Sequence, residues 1–173
     1  ALTPRDLLQV LTQDQISLIP DSRSVQWVVF KGSEPVGLAM FVNINFRNRS
    51  AEQIMGILPS HDHSFLVGDT YCASLLFAYH GLGLNRVQGL IYGRNREVAE
   101  QQERLGFRRE GLLRQAVWNE DEQTYEDLLQ IALLAEEFAC NRVLQRHIRR
   151  QPHDPWLDQR RDWLRYPLTR SQE

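Results

Sequence analysis

The densest group of chemically capable side chains in this sequence is His61-Asp62-His63. A carboxylate beside an imidazole can take up a proton near neutral pH, where histidine ordinarily titrates. Three polar residues in a turn also make a plain surface loop, and that is the expectation here. No third and fourth ligand accompanies them to complete a tetrahedral centre, so no metal is expected. Asn95 stands just before Arg96-Glu97-Val98, where an asparagine can cap a helix or meet a ligand. Cys72 shares a helical stripe with Leu75, Leu76 and Tyr79, which predicts a core cysteine rather than a nucleophile. Arg114 and Asp127 fall in adjacent strand-like segments and are expected to pair across them.

The elements that would position these residues follow from hydrophobic period. Thr3-Pro4-Arg5-Asp6 opens a helix, with Thr3 as cap and proline in the first turn. Residues 26–30, a β-branched and aromatic run, read as a strand, and 36–43 and 53–58 follow as strands across polar turns. A helix is predicted over 68–81, a strand over 87–92, and a helix from Asn95 to about Arg104. A strand follows Phe107, another spans 125–134, and residues 135–150 read as a basic helix. Strands, helix, strand, helix, strands is an α+β order with a mixed sheet.

Bulk properties narrow the class. The 173 residues suffice for one compact core, and 42% hydrophobic with 24% charged residues is the composition of a soluble globular domain. A net charge of −2 gives no field that would draw nucleic acid or an anionic membrane. Two cysteines without a C-x-x-C pair suit a reducing compartment. No run approaches the roughly 18 apolar residues of a membrane span. With no charged-then-apolar leader in view, a cytoplasmic protein is expected. The chain opens on Ala1, as a processed product or a piece of a longer polypeptide would.

Several segments then carry a resemblance. Pro35-Val36-Gly37, Asn43-Ile44-Asn45 and Asn48-Arg49-Ser50-Ala51 are similar to the central hairpin of one acyltransferase family. Leu82-Gly83-Leu84-Asn85-Arg86-Val87 matches its LGL-x-RV segment. Asn95, followed by Arg104-Leu105-Gly106-Phe107-Arg108-Arg109-Glu110-Gly111, matches its N…LGF-x-x-EG segment. Leu113-Arg114 and Tyr125-Glu126-Asp127 complete the order over about residues 26–136. The chain thus resembles the GNAT superfamily of acyl-CoA N-acyltransferases, in its RimJ/RimL type. The implied fold is a central mixed, mostly antiparallel sheet flanked by helices. It would occupy residues 1–138, its first strand and helix not being evident before Thr3. A basic amphipathic helical extension would follow over 139–173.

The resemblance also implies chemistry. A primary amine, on a protein N-terminus, an amino sugar or a small molecule, would attack the thioester of acetyl-CoA or another acyl-CoA. Backbone N–H groups at Ile57 and Leu58 would polarise the thioester carbonyl. Asn95 would meet the pantetheine arm. The family's R-G-x-G-x-G pyrophosphate loop falls on Asp62-His63-Ser64-Phe65-Leu66-Val67, with Gly68 just after it. Glycine allows close backbone approach to a phosphate, and here those glycines are replaced. His63, Ser64, Phe65, Leu66, Val67 and Gly68 are nonetheless the residues the resemblance assigns to the cofactor. A Tyr acid and a Glu base often found in the family are matched by Gln102 and Gln53. A non-catalytic module of the same fold, binding a protein partner or a metabolite, is the alternative.

The last stretch stands apart. From Ala139 onward eight Arg face three Asp and one Glu, and Trp156, Leu157, Trp163 and Leu164 recur seven apart. Aromatic and cationic residues together can bind single-stranded nucleic acid. Asp154, Asp158 and Asp162 interrupt the pattern, so the stripe is expected to pack on the domain or on the second subunit of a homodimer.

Overall fold

A computed structural model of the chain describes residues 24–61 and 65–150. The helix expected from Thr3, the residues Asp62, His63 and Ser64, and the tryptophan-bearing stretch after Arg150 lie outside them. The first strand, β1 (Val25–Lys31), is built of β-branched and aromatic residues. It turns through Gly32 at φ +63°, a conformation side chains resist, into β2 (Glu34–Asn45). β3 (Ser50–Ile57) returns antiparallel to β2, with Gly37 opposite Ile57 and Leu38 opposite Gly56. Helix α1 (Phe65–Leu76) follows and runs into one widened turn, Phe77–Gly81. There the Leu82 N–H reaches back five residues to the Phe77 carbonyl at 2.9 Å.

β4 (Arg86–Tyr92), α2 (Arg96–Arg104), β5 (Arg108–Asn119) and β6 (Thr124–Leu134) come next, then the short helices α3 (Ala135–Cys140) and α4 (Arg142–Arg150). The strands make one mixed sheet in the order β1-β2-β3-β4-β6-β5. The β1–β2, β2–β3 and β5–β6 neighbours are antiparallel. This is the α+β architecture expected from the sequence. Among the described residues no helix is long and apolar enough to cross a membrane.

The chain divides after Val87 into two compact units. In the first, the Trp27 ring meets Phe41 and Phe77 edge-on, with centroids 5.8 and 5.1 Å away. The stripe Cys72, Leu75, Leu76 and Tyr79 is buried, as its spacing predicts. α1 starts three residues before the expected Gly68. Leu66 packs against the Val29, Val36 and Ala39 cluster and Val67 is buried, so apolar burial outweighs the glycine as a start signal. Arg49, at φ +52°, accepts the N–H groups of Asn85 and Arg86 on its carbonyl and donates Nε–H to the Gly83 carbonyl. The two motif segments around Arg49 and Gly83 therefore meet in space.

In the second unit Phe107, Ile131, Leu133, Phe138, Leu144 and Ile148 form the core. The single helix expected over 135–150 breaks at Asn141. The Asn141 Oδ1 caps α4 by accepting Val143 and Leu144 N–H at 2.9 and 3.1 Å, and its Nδ2 donates to the Leu105 carbonyl. Gly106 sits at φ +96° against that amide, where any Cβ would collide with it.

Candidate functional site

Apart from Asn95, the sequence assigns its cofactor residues to the end of β3 and the start of α1, both in the first unit. Neighbouring residues of a strand point their N–H groups to opposite sides. The Leu58 N–H donates to the Val36 carbonyl at 2.8 Å, so it belongs to the β2 ladder. Ile57, one residue earlier, therefore points its N–H away from β2. Of the two donors expected at Ile57 and Leu58, Leu58 is committed to β2, and Ile57 is the one that faces the other side of β3. Gly37 makes this packing possible: a Cβ there would lie 2.5 Å from Ile57 Cδ1 and 2.6 Å from the Gly56 carbonyl.

The expected pyrophosphate loop is shorter than the motif suggests. Phe65, Leu66, Val67 and Gly68 form the first turn of α1 rather than a loop. With Leu66 and Val67 turned to the core, their backbone is what remains for a ligand. The first four N–H groups of a helix lack partners within it and carry its positive end. No acidic residue stands in that first turn of α1, although Asp69 follows it directly and Asp62 precedes the helix in the sequence. A phosphate placed here would be met by backbone N–H groups of the first turn of α1 rather than by side chains.

Sequence reasoning missed Lys31. Its Nζ lies 3.5 Å from His61 Nδ1, which brings the chain's one lysine to the segment leading into α1. The register between β2 and β3 could have signalled this, since it sets the β1–β2 turn beside the end of β3.

In the second unit, Asn95 occupies the N-cap position of α2 but its side chain makes no capping bond. The expected cap is thus one of position only. Asp127 does not pair with Arg114 as expected. Its carboxylate accepts the Gln115 N–H at 2.8 Å, in an irregular stretch of β5 where Gln115 has φ +52°. Holding that backbone outcompetes a surface ion pair, which is worth little.

Gln53 and Gln102, at the positions matched to the family's Glu and Tyr, are 8% and 2% exposed. Their Oε1 atoms are the two buried side-chain oxygens without a hydrogen-bond partner among the described residues. Amides neither accept nor release protons at ordinary pH, so neither residue is an acid or base. Burial, with Asp69 adding to it, pushes the Cys72 thiol up to about 12, which removes it as a nucleophile. Burial lowers the His80 imidazole below its ordinary value. No group of three or more His, Cys, Asp and Glu among the described residues could hold a metal ion.

No protein-family model and no curated protein matches this sequence. Solved structures do match. A point mutant of spermidine N-acetyltransferase SpeG from Vibrio cholerae is 22% identical with a TM-score of 0.68, over 77% of this chain and 78% of that one. A dodecameric form of the same enzyme is 21% identical with a TM-score of 0.67, over 77% of each chain. A crystal structure of a candidate acetyltransferase is 22% identical with a TM-score of 0.70, over 86% of this chain and 72% of that one. At these identities the likeness is one of fold: the chain has the GNAT fold.

Proposed function

We propose that this chain is an N-acyltransferase that moves an acetyl or other acyl group from acyl-CoA to a primary amine. The observation that carries the reading is the succession, within one unit, of an Ile57 N–H turned away from β2 and a first turn of α1 without acidic side chains. Acyl-CoA supplies an activated thioester: the amine nitrogen bonds to the carbonyl carbon, the carbon–sulfur bond breaks, and the thiol leaves with a proton. The Ile57 N–H would orient and polarise that carbonyl. The first turn of α1, Phe65 to Gly68, would hold the pyrophosphate through backbone N–H groups, with His63 and Ser64 in the preceding segment. Asn95 is proposed for the pantetheine arm on its motif. Positioning, rather than a side-chain base, carries the rate. A homodimer is proposed with it, on the Trp156, Leu157, Trp163 and Leu164 stripe.

The test is a transfer assay with acetyl-CoA against peptide N-termini, amino sugars and small amines, read by product mass and released thiol. Acetylated amine and thiol in equal amounts support the reading; thiol release without product, or neither, refutes it. A second reading has its own observation. Leu66 and Val67, where the loop would be, serve the core, which suits a non-catalytic module of this fold that binds a protein or metabolite.

A further inference from the structure

We infer that Gln53 is a positioning residue that ties α1 to β3 and so holds the two ends of the proposed acyl-CoA site in register; this rests on the reading above. The Gln53 Nε2 donates to Ser74 Oγ at 2.6 Å, and Ser74 Oγ donates to the Tyr71 carbonyl at 3.0 Å. With the Ser74 hydroxyl proton directed to the Tyr71 carbonyl, the Gln53 amide presents Nε2 to Ser74, and Oε1 is its end without a partner. The link runs between buried side chains, Gln53 being 8% and Ser74 6% exposed.

An unpartnered buried acceptor is destabilising, a cost that an apolar side chain of the same shape would avoid. Stability alone therefore does not account for an amide at this position, and breaks of local rule tend to mark function. The lever arms support the assignment. Ile57 lies four residues beyond Gln53 on β3, about 13 Å at strand rise. Phe65 lies nine residues before Ser74 on α1, again about 13 Å at helix rise. The tie thus sits equally far from the proposed carbonyl contact and the proposed phosphate contact, and slack in it would reach both.

The experiment compares Gln53→Met, Ser74→Ala and the double variant with the unaltered chain. Acetyl-CoA affinity by calorimetry falls about tenfold in each single variant and no further in the double one, because all three break one link. The KM for acetyl-CoA rises while kcat and the KM for the amine stay within about twofold. Gln53→Met keeps or raises the melting temperature, which a purely structural role would lower together with affinity. Unchanged affinity in Gln53→Met, or a loss that simply follows melting temperature, overturns the inference. If the unaltered chain binds no acetyl-CoA, the acyl-CoA reading falls separately. Hydrogen exchange then decides the tie: faster exchange of α1 amides in Gln53→Met upholds it, and unchanged exchange overturns it.

Discussion

Residue by residue, the chemistry divides by burial. Cys72 is 2% exposed with its thiol pushed up to about 12, whereas Cys140 is exposed. One thiol of the native chain should therefore react with a disulfide reagent at neutral pH, and both after denaturation. Two fast native thiols would show that α1 does not bury its stripe. The core role of Cys72 was legible because helical period reports burial directly. The fate of Asp127 was not: its bond to the Gln115 N–H depends on the irregular backbone of β5, which side-chain type does not encode. Gln53 and Gln102 were recognisable as replacements for a base and an acid. Their orphaned oxygens were not, because partner atoms come from elements distant in sequence.

At the level of elements, close approach and burial set the tolerances. An alanine at Gly37 would drive a methyl group into the Gly56 carbonyl and Ile57, and both sit on the neighbouring strand. Gly37→Ala should cost about 1–3 kcal/mol in chemical denaturation and displace the Ile57 N–H as well. Gly56→Ala, where a Cβ meets nothing within 4 Å, is the control, and equal losses in the two would contradict the packing. The widened turn carries His80, whose half-buried imidazole resists a proton that the unfolded chain accepts. Its contribution to stability is therefore full above the ordinary value of 6.5 and is lost as pH falls through the lower folded value. Melting temperature should drop as pH falls below 6.5, and His80→Gln should flatten part of that drop. An identical profile in the variant would remove His80 from the balance. Strands and helices were readable at nearly their observed bounds. The early start of α1 and the break at Asn141 were not, since each follows from a tertiary contact that local propensity does not report.

For the whole molecule, a GNAT fold without the family's glycine loop poses one question: whether backbone alone can bind the donor. The fold was legible because its motifs mark backbone requirements, such as Gly83 at φ +64° beside the Arg49 clamp and Gly106 at φ +96° against Asn141. The site was legible only in outline, because a ligand contact made by main-chain N–H groups leaves little trace in residue type. The most direct measurement is a calorimetric titration of the chain with acetyl-CoA, alongside acetyl-pantetheine, which lacks the phosphates. The expected result is acetyl-CoA binding near the micromolar range, about −8 kcal/mol, with acetyl-pantetheine much weaker. No heat at millimolar acetyl-CoA, or equal affinity for the two, would contradict a phosphate-holding α1 and favour the partner-binding module.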